Sequence, residues 1–197
     1  MKSTEHQYDG NALNALMRDW KKRIDEVTAA IAELHESSTE EQRAWKPRAD
    51  VWSFDEVLEH VMAVNDSFVP VIRDLDAGTY RPFFVTRFRR YARFVGSLIL
   101  KSLEPENTSK TKTVRGWEPC SREPRSDLMR LFAIHQSKLK DLITMSEPHL
   151  QRDIIISSPE NRYITYTLRS AFDIIVLHEQ RHLLQARRVL QQLNRSR

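Results

Sequence analysis

Hydrophobic residues recur at steps of three and four along four long stretches of this chain of 197 residues. The stretches cover approximately residues 11–36, 53–78, 125–146 and 167–193. This spacing is typical of amphipathic helices that bury one stripe. In the second stretch Ser53 and Glu56 form a capping-box pattern at the start, and Gly78 marks a stop. Four narrow stripes must be buried against each other, so the pattern predicts an all-α four-helix bundle.

The segments between these stretches complete the predicted architecture. Residues 81–103 have the pattern of a further helix, and no acidic residue occurs between Asp76 and Glu104. Residues 104–124 are polar and contain proline, which predicts a long loop that could cover a site. Residues 153–166 are predicted to form a loop with brief extended structure. We therefore expect one domain over residues 1–197, with a long crossover between helices 2 and 3 made of a short basic helix plus a loop.

Composition and charge narrow the class of protein. The chain is 40% hydrophobic and 29% charged and has only 4 glycines, which favours long helices over a turn-rich β fold. A net charge of +4 allows nucleic acid or an acidic membrane surface as a partner without requiring either. The single cysteine, Cys120, excludes an internal disulfide. Since no secretory signal and no apolar run long enough for a bilayer are visible, we expect a cytoplasmic protein without a membrane span.

The segment "HEQRH" at residues 178–182 raises the question of a metal site. His178 and His182 lie one helical turn apart on an apolar stripe, and His60 lies between Val57 and Val64 on the second helix. Three inward histidines can share a metal ion, and three protein ligands leave a position open for water or substrate. The alternative is a set of hydrogen-bonded core histidines.

A zinc protease would also contain H-E-x-x-H, but the rest of its pattern is missing. Such an enzyme takes a third ligand from downstream, and no His, Asp or Glu follows His182. We interpret Glu179 as one partner of an interhelical salt bridge, with an acid–base role as the alternative. His135 on the third helix is interpreted as a hydrogen-bonded core histidine, with a fourth ligand or an acid–base group as the alternative.

Several other residues receive a structural interpretation. His6, His35 and His149 are expected at the surface, and Trp52 is expected to pack the start of the second helix. Cys120 is interpreted as a loop cysteine, although Arg115 and Arg122 nearby could activate a reactive thiol.

The arginine cluster "RFRRYAR" at residues 87–93 is expected to bury its aromatic side chains and leave its arginines in water. Binding of nucleic acid, of an anionic membrane or of an anionic thiol cofactor is the alternative.

The segments "WKPRADVWSFDEVLEHVMAVN" and "LHEQRHLLQARRVL" together resemble the DinB-like family of metal-binding four-helix bundles. The resemblance extends over residues 11–193 and implies His60, His178 and His182 as metal ligands. It implies a divalent ion such as zinc or nickel, and a small-molecule substrate. The known activities in that family include thiol-dependent S-transfer and isomerisation, and many members have no assigned reaction.

Three classes of function follow from these observations. The first is a metal-dependent enzyme, a thiol S-transferase or a hydrolase, with a low-molecular-weight thiol as a candidate partner. The second is a non-catalytic metal-binding stress or interaction protein. The third is an electrostatic binder of nucleic acid or membrane surface with structural histidines, and we rank nucleic acid low. Catalytic residues are not identified from the sequence, and a homodimer is left open.

Overall fold

The computed structural model describes residues 10–104, 115–119 and 126–195. The helices are α1 Gly10–Glu36, α2 Glu40–Ala44, α3 Phe54–Asp76, α4 Arg89–Leu103, α5 Leu128–Met145, α6 Glu147–Gln151 and α7 Leu168–Arg195. The strands are β1 Ile155–Ser157 and β2 Thr165–Thr167, and short 3-10 turns cover Phe84–Arg87 and Arg115–Trp117. The predicted all-α class is confirmed, since the two strands form only a small antiparallel hairpin.

The four long helices α1, α3, α5 and α7 form the bundle. Helix α7 packs against α1 and α3, and α5 packs against the same two helices from the other side. The predicted stripe of α1 is buried at Leu13, Met17, Trp20, Ile24, Val27 and Ile31. The indole of Trp20 donates a hydrogen bond of 2.8 Å to Asp173 on α7, so even the polar atom of this buried ring is satisfied. Burial of each such large side chain contributes about 1.5–3 kcal/mol.

The predicted boundaries of the second bundle helix are confirmed at both ends. The Ser53 hydroxyl accepts from the Glu56 backbone amide, and the Glu56 carboxylate accepts from the Ser53 amide at 2.9 Å. The helix ends at Asp76, and Gly78 follows with a φ of +69°, a left-handed conformation that glycine adopts without strain. These caps fix where the helix that carries His60 begins and ends.

The crossover contains the predicted basic helix, but the α-helix begins at Arg89 rather than at residue 81, and its orientation differs from the expectation. Helix α4 packs on α7 and β2 through its small residues Ala92 and Gly96, which are buried. The aromatic residues of the arginine cluster, Phe88 and Tyr91, are exposed rather than buried. The interpretation that they pack inward is therefore wrong. The physical reason is the close approach of α4 to α7, because a Cβ on Gly96 would lie 3.1 Å from the Ser170 hydroxyl oxygen.

Two smaller elements complete the described chain. Helix α2 lies in the connector after α1 and was not predicted from the sequence. It has a full capping box between Thr39 and Gln42. The brief extended structure predicted for residues 153–166 is confirmed by the hairpin, in which Ile156 pairs with Tyr166. In the described ranges, no helix is both long enough and apolar enough to span a bilayer.

Candidate metal centre

The histidines at positions 60, 178 and 182 meet between α3 and α7. One ring nitrogen from each lies within 4.8 Å of one from each of the others. The ring centroids are 4.3 Å apart for His178 and His182, 4.6 Å for His60 and His182, and 5.0 Å for His60 and His178. The side-by-side packing of α3 and α7 therefore brings together two positions of the chain that are far apart in sequence. This arrangement could hold a metal ion.

The orientation of the His60 ring is fixed from outside the bundle. Its Nδ1 lies 2.6 Å from the Trp117 backbone carbonyl oxygen, which can only accept a hydrogen bond. The proton of the neutral ring is therefore on Nδ1, and the Nε2 lone pair points inward. That Nε2 atom is 3.1 Å from Nε2 of His178. The 3-10 turn at Arg115–Trp117 thus brings part of the predicted loop 104–124 onto the site.

Trp52 forms an aromatic wall beside the histidines. Its ring centroid is 4.5 Å from that of His60 and 6.2 Å from that of His182. Trp52 comes directly before the Ser53 cap, so the start of α3 determines its position. The predicted role in packing this helix start is supported by its packing against the buried cluster that includes Phe54, Val57 and Leu58. The wall also shields the two imidazoles from water.

Burial keeps the three imidazoles neutral. It is the largest cause of the lowered pKa of His60, which the hydrogen bond to Trp117 only partly offsets. Burial lowers the pKa of His182 to about 3 and that of His178 well below its ordinary value. His60 and Arg181 lower the pKa of both residues on α7 further, and His182 adds to the shift of His178. A hydrogen bond with Gln185 partly offsets the lowered pKa of His182. Neutral imidazole is the form that binds metal ions.

The site is enclosed on most sides. His60 and His182 are buried, whereas His178 keeps part of its surface exposed. The Nδ1 atoms of His178 and His182 are enclosed and have no hydrogen-bond partner within the described ranges. Among the described residues, His178 is thus the least enclosed of the three histidines.

Glu179 belongs to a different buried cluster. One carboxylate oxygen, Oε1, accepts hydrogen bonds from Asn65 on α3 at 2.7 Å and from Gln136 on α5 at 2.9 Å. Burial raises the pKa of this carboxyl to about 7, and the two amide donors act in the opposite direction. The interpretation of Glu179 as part of a salt bridge is wrong, because its hydrogen-bond partners are neutral amides. The group does connect three helices of the bundle, as an interhelical contact should.

Three further histidines of the described residues, at positions 35, 135 and 149, lie outside the cluster of three. His135 is largely buried on α5, and its Nε2 is 3.4 Å from a carboxylate oxygen of Asp66. His35 is half-buried, and His149 is buried, so the expected surface position of His149 is wrong. It lies on α6, a short helix that packs against α1, α5 and α7. His6, Cys120 and Arg122 fall outside the described residues, as does the side chain of Arg115.

Three contributors to this region were not predicted from the sequence. Asn65 and Gln136 lie in register with the apolar stripes of their helices, between Val61 and Phe68 and between Phe132 and Leu139. A polar residue at such a position signals a buried hydrogen bond and could have been found. The Trp117 contact uses a backbone carbonyl, so side-chain patterns contain no signal for it.

Comparisons with known proteins identify the family. The family model of the DinB superfamily matches residues 14–186. Neither the search of curated proteins nor the search of solved structures found a match. The matched region includes α3 and α5 in full, most of α1 and α7, and the three clustered histidines. This chain therefore belongs to the DinB superfamily.

Proposed function

We propose that this protein binds one divalent metal ion through His60, His178 and His182 and uses it in a reaction of a small molecule. The two reaction classes proposed are S-transfer with a low-molecular-weight thiol and hydrolysis. The observation that carries the proposal is the convergence of three ring nitrogens within 4.8 Å on two helices of the bundle. Three neutral ligands leave the charge of the ion uncompensated and a coordination position open.

The donor set fits a transition metal. In tetrahedral zinc sites with Zn–N bonds of 2.0–2.1 Å, neighbouring ligand nitrogens are roughly 3.3 Å apart. The separation of 3.1 Å between the two Nε2 atoms of His60 and His178 is close to this value. Imidazole ligands suit zinc and nickel better than magnesium or calcium, which prefer oxygen ligands. We therefore propose zinc or nickel as the resident ion.

A metal ion in this position supplies a Lewis acid that stabilises a bound thiolate or lowers the pKa of a bound water. The protein's own residues supply the rest. The Trp117 carbonyl holds the His60 ring in one tautomer, as outer contacts of metal-bound histidines commonly do. Trp52 excludes water from one side. Arg181, whose charge acts on both histidines of α7, favours an anionic substrate or thiol at the exposed side of His178.

The first experiment measures metal content and turnover on the same samples. The protein is prepared without a histidine tag as wild type, as His60→Ala and as His35→Ala, a control histidine at the end of α1. Elemental mass spectrometry measures bound metal after reconstitution with zinc or nickel, and circular dichroism measures helicity. Each loaded sample is then assayed for consumption of glutathione, bacillithiol and mycothiol with electrophilic acceptors, and for ester and amide hydrolysis.

The outcomes separate the metal site from the reaction. We expect about one equivalent of metal in the wild type and in His35→Ala, and none in His60→Ala at unchanged helicity. Turnover that requires the metal would support the enzyme. Bound metal without turnover of any substrate would contradict the enzymatic part and favour a non-catalytic metal-binding protein. Absence of metal from the wild type would overturn the whole proposal.

A further inference from the structure

Exposed hydrophobic side chains are concentrated on the outer surface of α4 and on the 3-10 turn and cap residue that precede it. Seven large hydrophobic residues are exposed in the described ranges, and five of them lie within fifteen positions. They are between 43% and 59% exposed: Phe84, Phe88, Tyr91, Phe94 and Leu98. Exposed apolar side chains are ordinary when scattered, but a contiguous patch marks a contact with a partner or a membrane. We call these five residues the α4 apolar face.

The apolar face is exposed because the opposite side of α4 is already packed. Ala92 and Gly96 contact the bundle, and Ile99 packs against the core cluster that includes Leu168 and Phe172. Because the two buried residues of this side are small, the helix lies close to α7 and β2. The large residues are left facing solvent. Exposure of this much apolar surface is unfavourable in water, which indicates a function for the surface.

Positive charge borders the apolar face, and acidic residues are missing from it. Six arginines and lysines occur between Asp76 and Glu104, and no Asp or Glu. Two of them, Arg89 and Arg93, pair with the buried carboxylate of Asp153 on the hairpin side. The other four are exposed, and no ion pair to them occurs within residues 10–104, 115–119 and 126–195: Arg81, Arg87, Arg90 and Lys101. At about 100° per residue, Arg90 and Lys101 project within about 20° of each other around the axis of α4. Both therefore lie on the edge of the helix surface that is next to Phe94.

This combination selects one class of partner. A second copy of the chain would cover the apolar face, but it would place the same cations against each other. A nucleic acid would satisfy the cations and could stack unpaired bases on the aromatic rings, but it would leave the aliphatic Leu98 without a matching partner. An anionic bilayer provides negative headgroups for the cations and an acyl boundary for the aromatic and aliphatic side chains.

We propose that α4 docks lengthwise on anionic phospholipid surfaces, with its apolar face inserted between the headgroups. Phe94 and Leu98 are the α4 side chains that insert deepest among the headgroups. Arg90 and Lys101 bind lipid phosphates at the border of the apolar face. A hydrogen bond of 2.8 Å from Arg181 to the Ser102 carbonyl oxygen joins the end of α4 to the helix that carries His178 and His182. Docking therefore holds the candidate metal centre at a fixed orientation to the membrane. The proposal is independent of the function proposed for that centre.

Vesicle co-sedimentation tests this docking. The full-length protein is mixed with vesicles of phosphatidylcholine alone and of phosphatidylcholine with phosphatidylserine, at low and at high salt. One variant removes apolar area, Phe94→Ser with Leu98→Ser, and another removes charge, Arg90→Gln with Lys101→Gln. The matched control is Ile134→Ser with Lys138→Gln, an exposed apolar residue and an exposed lysine at the same spacing of four on α5. Circular dichroism and thermal melting verify that each variant folds.

We expect binding to the anionic vesicles only, weakened by salt and unchanged in the α5 control. The charge variant should lower the partition coefficient about tenfold or more, since each basic side chain near an anionic surface contributes about 1 kcal/mol. The apolar variant should abolish binding. Absence of binding by the folded wild type, or equal loss in the α5 control, would overturn the proposal. So would the alternatives: preferential binding to DNA or RNA, or a dimer by light scattering that the apolar variant dissociates without any vesicle binding.

Discussion

The Nε2 atoms of His60 and His178 lie 3.1 Å apart, although 118 positions separate the two residues in the chain. The Trp117 carbonyl holds the proton of His60 on the opposite nitrogen, so the Nε2 of this ring presents a lone pair. Burial above all, and the neighbouring His60 in addition, lower the pKa of both His178 and His182 and so keep them neutral. Two neutral imidazoles that face each other in this way either form an N–H···N hydrogen bond or bind one metal cation between them. The third histidine at the same point favours the cation.

The aromatic wall beside the histidines is expected to affect metal affinity. We predict that Trp52→Ala lowers the affinity for zinc by about tenfold, because ring contacts of this kind contribute about 0.5–1.5 kcal/mol. Trp52→Phe should retain most of the affinity. The measurement is competition for zinc with a chromophoric chelator. Trp45→Ala, which changes another tryptophan of the same connector, serves as the control, and an equal loss in this variant would show that the effect is not local.

The buried carboxyl of Glu179 is expected to stabilise the bundle rather than take part in chemistry. Glu179→Ala removes the acceptor of the Asn65 and Gln136 amides and leaves both donors buried and unpaired. We predict a loss of about 2–4 kcal/mol in the free energy of unfolding. Urea denaturation measures the loss, with the exposed Glu33→Ala on α1 as the control, expected to change stability by less than about 0.5 kcal/mol. A stability like that of wild type in Glu179→Ala would contradict this role.

Asp55 is expected to make stability depend on pH. Burial raises its pKa from 3.8 to about 6, and Arg43, at 3.8 Å, only partly offsets this effect. A raised pKa means that the folded state binds the proton more tightly than the unfolded state. The stability from this group is therefore full below about pH 4 and is lost as the pH rises through 6.

The variant Asp55→Asn tests this dependence. We predict that at pH 8 its free energy of unfolding, measured by urea denaturation, exceeds that of wild type by about 1–2 kcal/mol. This magnitude allows for partial solvent access to the group. Near pH 4 the advantage should disappear. Asp50→Asn, an exposed position in the preceding connector, should change little at either pH. If the difference between Asp55→Asn and wild type does not vary with pH, burial does not control this carboxyl.

The attachment of α4 to the hairpin is expected to depend on Asp153. This residue has a φ of +46°, is buried, and pairs with both Arg89 and Arg93. Asp153→Ala leaves two cations without their partner, and we predict a destabilisation of about 2 kcal/mol and faster tryptic cleavage near Arg89. The pair of Asp25 with Lys140 at 2.5 Å is exposed, so Asp25→Ala should cost less than about 1 kcal/mol. Equal effects of the two substitutions would show that burial of Asp153 gives its ion pairs no additional strength.

The long helices could be predicted from the sequence because their apolar stripes are regular. The predicted ends of α1, α3 and α7 fall within one or two residues of the observed ends, and Ser53 and Gly78 mark their helix boundaries as expected. The first residue of α5 is Leu128 rather than residue 125. Helix α2 was missed because it is too short to show a period, although its capping box was visible in the sequence.

The candidate site could be predicted only as far as side-chain patterns reach. The stripe positions of His60, His178 and His182 were sufficient to predict that they face one another. The wrong expectation for Glu179 arose because a pattern on one helix does not show whether the facing helices offer amides or cations. The aromatic residues of α4 were expected inside because the pattern cannot show that Ala92 and Gly96 already occupy the contact with α7.

X-ray absorption spectroscopy of the zinc-loaded protein tests the shared coordination by three histidines most directly. For the wild type we predict three imidazole nitrogens at about 2.0 Å and one further light ligand. His60→Ala, if it retains any zinc, should show at most two imidazoles, whereas His35→Ala should give the wild-type spectrum. A zinc ion with fewer than three imidazoles in the wild type, or an unchanged spectrum in His60→Ala, would contradict a site that bridges α3 and α7.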